Sequence, residues 1–201
     1  MTARKINILE VGARDGLQNE PDVVSTENKV QLIKSAIDAG IRRLEVASFV
    51  HPKRVPQMAD AEAVLESLPD RDDVSYIGLV LNKKGALRAL DTKAHELGAV
   101  IVASDTFGQK NQGQTIEDGI EAASEIIRLA RDAGRKGQVT ISAAFGCPFE
   151  GRVDPDRVIE IALRVAEAGP VDIAIADTVG VGVPSQVEDI VGRLREELPD
   201  M

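Results

Sequence analysis

The sequence is poor in several residue types whose presence usually signals a binding mode. It has no tryptophan, and one tyrosine and four phenylalanines make up an aromatic share of only 2%. Positive charge is the minority sign: 24 Lys and Arg stand against 33 Asp and Glu, a formal net charge of −9. This argues against nucleic acid as a partner, which is held by a net basic face and, for single strands, by aromatic stacking platforms. The single cysteine, Cys147, excludes an intrachain disulfide and any CxxC zinc or redox motif. No apolar run approaches the roughly 18 residues of a membrane span. The segment after Met1-Thr-Ala-Arg-Lys5 alternates rather than forming the apolar stretch of about 7 to 15 residues found in a secretory signal. A cytoplasmic protein with no membrane contact is the expectation. What is plentiful is ordinary for a globular chain, 43% hydrophobic and 28% charged, and 201 residues suffice to bury a core in a single domain spanning 1–201.

Short β-branched runs alternate with segments of helical periodicity. The predicted strands are Asn7 to Gly12, Arg42 to Phe49, Val74 to Leu81, Ala99 to Thr106, Gln138 to Gly146 and Val171 to Gly180. Between them the apolar spacing changes to three or four, as in Ile116, Ile120, Ala123, Ile127 and Ala130, the stripe of an amphipathic helix. Thr26, Thr115, Asp154 and Ser185 stand where helix N-caps belong, with Pro155 and Pro184 at helix starts, and Gly40, Gly98, Gly134 and Gly169 follow helical segments as C-caps. Strands such as Ile77-Gly-Leu-Val-Leu81 and Ile173-Ala-Ile-Ala176 are apolar on both faces, which requires a parallel sheet covered by helices. The chain is therefore α/β with about six βα units. Two architectures satisfy this, an open doubly wound sheet and a (β/α)8 barrel, and the absence of GxGxxG after the first strand removes positive support for dinucleotide binding.

In both architectures chemistry collects at the C-terminal ends of the strands. Those ends are polar here: Arg14-Asp15-Gly16-Leu17-Gln18 after the first, Glu45 within and Ser48-Phe49 ending the second, Ser104-Asp105-Thr106 after the fourth, Gly146-Cys147-Pro148 after the fifth and Asp177-Thr178 after the sixth. Carboxylates converging there suit a hard divalent cation that polarises a substrate oxygen; they also suit helix capping and pairing with loop lysines. Glu45, between Leu44 and Val46, must find a partner if it is buried. Arg14, Lys53, Arg54, Lys83, Lys84, Lys110 and Arg152 follow the strands and would draw an anionic substrate to that rim, or simply be solvated. Cys147 reads as a buried structural cysteine before a nucleophile, His51 as a loop contact, and His95 as a residue near a helix end.

Several segments together carry a resemblance. Val11-Gly-Ala-Arg-Asp-Gly-Leu-Gln-Asn-Glu-Pro21, Glu45-Val-Ala-Ser-Phe-Val50 with Val55-Pro-Gln-Met-Ala-Asp60, Gly146-Cys-Pro-Phe-Glu-Gly151 and Asp177-Thr-Val-Gly-Val-Gly182 resemble the hydroxymethylglutaryl-CoA lyase family of TIM-barrel metallolyases, over essentially the whole chain. The resemblance implies a (β/α)8 barrel, here an incomplete one of about six units, that cleaves 3-hydroxy-3-methylglutaryl-CoA to acetyl-CoA and acetoacetate with Mg²⁺ or Mn²⁺. It implies a metal-ligating Asp15, an enolate-stabilising Arg14, an Arg14-orienting Glu45 and a proton-transferring Asp177. Gln18, Lys110 and Asn111 are expected to contact the acyl-CoA substrate. The family's His-x-His metal ligands and its cysteine loop have no counterpart before Met201, so a metal held by Asp15 without them is expected to bind weakly. A catalytically incomplete fragment or pseudoenzyme, or a related synthase or aldolase, is the rival reading. Six curved strands would leave an open, C-shaped sheet, so homo-oligomerisation or association through exposed barrel edges is expected.

Overall fold

The computed structural model describes residues 6–201. The chain divides into two compact units, Met1–Val80 with Lys84–Leu97, and Leu81–Lys83 with Gly98–Met201. In the first, β1 (Leu9–Glu10) leads through a π-helical turn (Gly12–Gly16) to α1 (Thr26–Asp38), β2 (Arg43–Ser48), α2 (Ala61–Ser67), β3 (Ser75–Val80) and α3 (Lys83–Leu90). After β4 (Glu96–Val102) the second contains α4 (Asp105–Asn111), α5 (Ile116–Asp132), β5 (Lys136–Ser142), a hairpin of β6 (Gly146–Cys147) and β7 (Gly151–Arg152), α6 (Pro155–Ala166), β8 (Asp172–Ile175) and α7 (Pro184–Glu197).

The six main strands follow one another as β1-β2-β3-β4-β5-β8, and the registered pairs β1/β2, β2/β3 and β5/β8 are parallel. This order decides between the two architectures. A doubly wound sheet reverses direction at a switch point, whereas a barrel adds each strand beside the last. The fold is six βα units of the (β/α)8 TIM-barrel type. The strands are the core: Leu44, Ile77, Leu97, Ile101 and Ile141 are wholly buried. Helix stripes cover them, Ile33 and Ile37 from α1, Ile120, Ala123, Ile127 and Ala130 from α5, and Val158, Ile161, Ala162 and Val165 from α6. No described helix is long and apolar enough to cross a membrane.

The boundaries differ from the sequence expectations in several places, some decided by distant side chains and some by local capping. The cap of α1 is Ser25, which accepts from the Asn28 amide, while Thr26 donates instead to Asp60 at 2.7 Å. The cap of α7 is Val183, not Ser185; its amide is satisfied by the Gln186 side chain at 3.0 Å. Thr115 and Asp154 cap α5 and α6 as expected. Gly40, Gly134 and Gly169 take positive φ, but Gly98 lies inside β4 and caps nothing. That strand starts at Glu96 rather than Ala99 because the Glu96 carboxylate is paired in place with the Arg43 guanidinium (2.6 Å) and accepts from the Ser75 hydroxyl (2.5 Å), first residues of β2 and β3. His95 accordingly precedes a strand, where its Nδ1 accepts the Tyr76 amide at 3.0 Å. The fourth strand ends at Val102, and Ser104 caps the unexpected α4 by accepting from the Phe107 amide. The first strand shrinks to two residues because Gly12–Gly16 wind into the π-turn. The fifth stops at Ser142, where Ala143 takes φ 55° and donates its amide to Thr178 Oγ1 at 2.8 Å. The sixth stops at Ile175.

Candidate functional site

In the first unit the strand-end motif folds back on itself. The Arg14 and Asp15 amides both donate to the Val11 carbonyl, at 3.0 and 2.7 Å, and the Gly12 amide donates to Glu10 Oε1 at 2.6 Å. A five-residue π-turn results, a rare geometry concentrated at functional sites. It sends the Arg14 side chain onto β2, where Nε donates to Glu45 Oε1, while Nη1 donates to Asp15 Oδ1 at 2.8 Å. The Glu45 residue is 4% exposed, and burial pushes its carboxyl above the ordinary glutamate range, an effect the Arg14 charge and hydrogen bond offset in part. Glu45 thus has the partner its position in the strand demanded. Asp15 is different: its side chain is 57% exposed and its backbone carbonyl accepts from Asn19 Nδ2 at 2.7 Å.

Gln18 continues the same helical turn four residues beyond Arg14, and its Oε1 is buried without a hydrogen-bond partner among the described residues. The loop after β2 is anchored below this site. Lys29, 2% exposed, donates to the Gln57 carbonyl and to Asp60 Oδ1, each at 2.5 Å, and Gln57 in turn donates to the Glu20 carbonyl at 2.8 Å. These contacts tie the segment after the π-turn to the Val55–Asp60 motif. His51 sits exposed on that loop, where its Nδ1 accepts the Lys53 amide.

Asp177, Lys110 and Asn111 belong to the second unit. Asp177 closes a loop: Oδ1 accepts the Gly180 and Val181 amides at 3.1 Å each, and Oδ2 accepts that of Gly182 at 2.8 Å. Lys110 is exposed on α4 with its ammonium 4.0 Å from the centre of the Phe149 ring, which meets Phe107 edge-on at 5.8 Å; Asn111, also exposed, ends the helix. Cys147 is buried, and its Sγ accepts from Ser104 Oγ at 3.0 Å and from the Phe149 and Glu150 amides at 3.3 Å each. Burial pushes this thiol up, but the Ser104 hydroxyl and the two amides together outweigh it and the pKa falls below the ordinary value.

The arrangement joins Arg14, Asp15 and Glu45 by direct contacts, with Gln18 on the turn that bears Arg14. Sequence reading missed Lys29 and its acceptors, because a lysine in a helix gives no sign of burial. It also missed the unpartnered hydroxyl of Ser48, fully buried at the end of β2. Metal binding was expected through Asp15. Among the described residues no three His, Cys, Asp or Glu side chains converge on one point. Asp15 offers a single exposed carboxylate, and Mg²⁺ held by one or two carboxylates keeps several waters in its shell.

The HMGL-like family model matches residues 5–201. The mitochondrial hydroxymethylglutaryl-CoA lyase of Bos taurus is 37% identical over 196 residues, 98% of this chain and 60% of its own length. The cytoplasmic 3-hydroxy-3-methylglutaryl-CoA lyase of Danio rerio is 37% identical over 194 residues, 96% of this chain and 58% of its own. An Acinetobacter baumannii HMG-CoA lyase, solved with coenzyme A and 3-methylmalate, superposes with a TM-score of 0.93 at 36% identity, covering 98% of this chain and 65% of that one. The chain spans about 60% of the length of the curated relatives it matches. With the family match running from residue 5 to the last, and the strand-end motif folded around Arg14 and Glu45, this chain belongs to the HMGL-like family.

Proposed function

We propose that the chain carries the enolate-stabilising part of a hydroxymethylglutaryl-CoA lyase site, for cleavage of 3-hydroxy-3-methylglutaryl-CoA to acetyl-CoA and acetoacetate. The observation that carries this reading is the Arg14–Glu45 pair at the strand end. In a retro-Claisen cleavage a base takes the C3 hydroxyl proton, the C3–O bond becomes a carbonyl, and the C2–C3 electron pair moves into the thioester. Acetoacetate leaves, and the enolate takes a proton to give acetyl-CoA. Negative charge grows on the thioester oxygen only as the bond breaks, so a guanidinium fixed beforehand stabilises the transition state more than the substrate. Glu45 does that fixing. It holds Nε, so Arg14 need not reorganise when the charge arrives.

Asp177 stands apart from this pair in our reading. Three amides fix its carboxylate as the pin of the Gly180–Gly182 loop, and we assign proton transfer near the substrate hydroxyl to it on the strength of its motif. Lys110, whose ammonium lies over the Phe149 ring, and the adjoining Asn111 are assigned to the CoA portion, since an exposed cation suits an anionic cofactor tail. Mg²⁺ or Mn²⁺ belongs to the proposal through Asp15 alone, and no step above is routed through it. We further propose a cytoplasmic setting, and association between copies through the end strands. The exposed apolar residues are Ile6 and Ile8 beside β1, and Val171 beside β8 with Val187 and Val191 on α7.

Acetoacetate release from 3-hydroxy-3-methylglutaryl-CoA with Mg²⁺ present tests the activity, and calorimetric titration with the same thioester tests the binding half. Thioester binding by the wild type, with binding largely kept and acetoacetate release lost in Arg14→Met, is the expected result. Absence of binding by the wild type would overturn the proposal.

A further inference from the structure

We infer that Ser48 is a ligand-binding residue of the Arg14–Glu45 site, its buried hydroxyl donating to an oxygen of a 3-hydroxyacyl group. This rests on the function proposed above and names a residue that the reading did not contain. Ser48 is fully buried and its Oγ has no hydrogen-bond partner among the described residues. A hydroxyl left in that state costs free energy, and natural proteins keep few of them.

The register of β2 shows where the hydroxyl points. In a regular strand Glu45 and Ser48, an odd number of residues apart, face opposite sides. Here β2 carries a bulge: Glu45 pairs with Ile77, Ala47 with Gly78 and Ser48 with Leu79, so Val46 is the extra residue. Gly78 marks the helix-covered side, since a Cβ built on it would meet the Phe49 ring and the Ala89 methyl of α3. Ala47 shares that side with Gly78. Glu45 with Ile77, and Ser48 with Leu79, lie on the other. The bulge therefore turns Ser48 onto the face that carries Glu45 and receives Arg14, a use for which bulges near active sites are known.

Gln18 supplies the complement. Its Oε1, buried and unpartnered on the turn that bears Arg14, can only accept a hydrogen bond. The set thus offers donors from Arg14 and Ser48 and an acceptor from Gln18. A 3-hydroxyacyl thioester presents the matching pattern, with carbonyl and carboxylate oxygens that accept and one hydroxyl that donates. Because Ser48 shares the face that carries Glu45 and receives Arg14, the contact is assigned to the reacting end of such a ligand rather than to its nucleotide tail.

The test sets stability against binding, because a structural hydroxyl and a ligand-facing one respond oppositely. In Ser48→Ala the urea midpoint is expected to stay equal or rise, since no internal hydrogen bond is lost. Affinity for 3-hydroxy-3-methylglutaryl-CoA, measured by calorimetry, is expected to fall about tenfold, the worth of one hydrogen bond. Free coenzyme A should bind wild type and variant alike. A lower urea midpoint would show that the hydroxyl has a partner inside the fold, and unchanged affinity for the thioester would show that it has none in the ligand; either result overturns the assignment. If the wild type binds and the variant is indifferent, this assignment alone fails. If the wild type binds no thioester, the functional reading falls and takes this one with it.

Discussion

Replacing Arg14 with methionine removes the charge that makes a buried Glu45 tolerable, and the loss of stability should depend on pH in one direction only. Glu45 is 4% exposed, with burial raising its carboxyl pKa above the ordinary 4.5 and Arg14 restraining the rise. Asp15, the other partner of Arg14, is more than half exposed and contributes little. Breaking a buried pair by removing one member costs about 3–5 kcal/mol, because the remaining charge is stranded. A carboxylate can escape that cost by taking up a proton. With a folded-state pKa above the unfolded value, the native form holds more protons than the unfolded chain, so stability falls as pH rises through the window between them. In Arg14→Met the folded value climbs further and the window widens upward. The variant should therefore lie close to wild type near pH 5 and lose ground at about 1.4 kcal/mol per pH unit until the carboxyl ionises in the folded protein. At that slope the full 3–5 kcal/mol takes roughly two to four pH units to develop. Urea unfolding of both proteins at half-unit intervals from pH 5 to 9 measures it. A deficit that is constant with pH, or that grows toward acid, would refute the reasoning.

Three further outcomes follow from the structure. Arg43→Leu leaves the Glu96 carboxylate, 1% exposed, with only the Ser75 hydroxyl, and should cost about 3–5 kcal/mol in urea unfolding; adding Glu96→Leu should restore most of it, and a double variant no better than the single would contradict the pairing. Gly78→Ala drives a methyl to 2.6 Å from the Phe49 ring, which Arg88 covers at 5.5 Å, and should destabilise by about 1–3 kcal/mol; a neutral result in thermal unfolding would mean that the ring moves freely. Gel filtration over a concentration series should show species larger than 21.5 kDa, given the exposed apolar residues at the end strands, and a monomer throughout would count against association.

Much of this protein is legible without coordinates, for reasons that are local. Short β-branched runs apolar on both faces read as strands covered twice, and the Ile120-Ala123-Ile127 spacing reads as a helix stripe. Arg14, Asp15 and Glu45 stand out because charge at a strand end, or inside a strand, demands a partner. What failed were strand starts that depend on a distant side chain, and the choice among neighbouring cap candidates. Gly98 reads as a helix terminator until Arg43 and Ser75, 53 and 21 residues from Glu96, stabilise that carboxylate at the head of a strand. Thr26 and Ser185 read as caps, although the chain found its caps one and two residues earlier.

The same division holds at the site. The sequence by itself determined the βα alternation, the family motifs and the identity of the charged residues, since these follow from periodicity and composition within short windows. Only the tertiary structure decided the strand order that separates a barrel from a doubly wound sheet, the π-turn that lays Arg14 on Glu45, and the bulge at Val46 that brings Ser48 to the same face. The strand order and the bulge are set by pairing between strands far apart in sequence, and the seat of Arg14 by a carboxylate 31 residues away. A one-residue shift in that pairing exchanges the two faces of a strand, and nothing within the strand's own sequence records it.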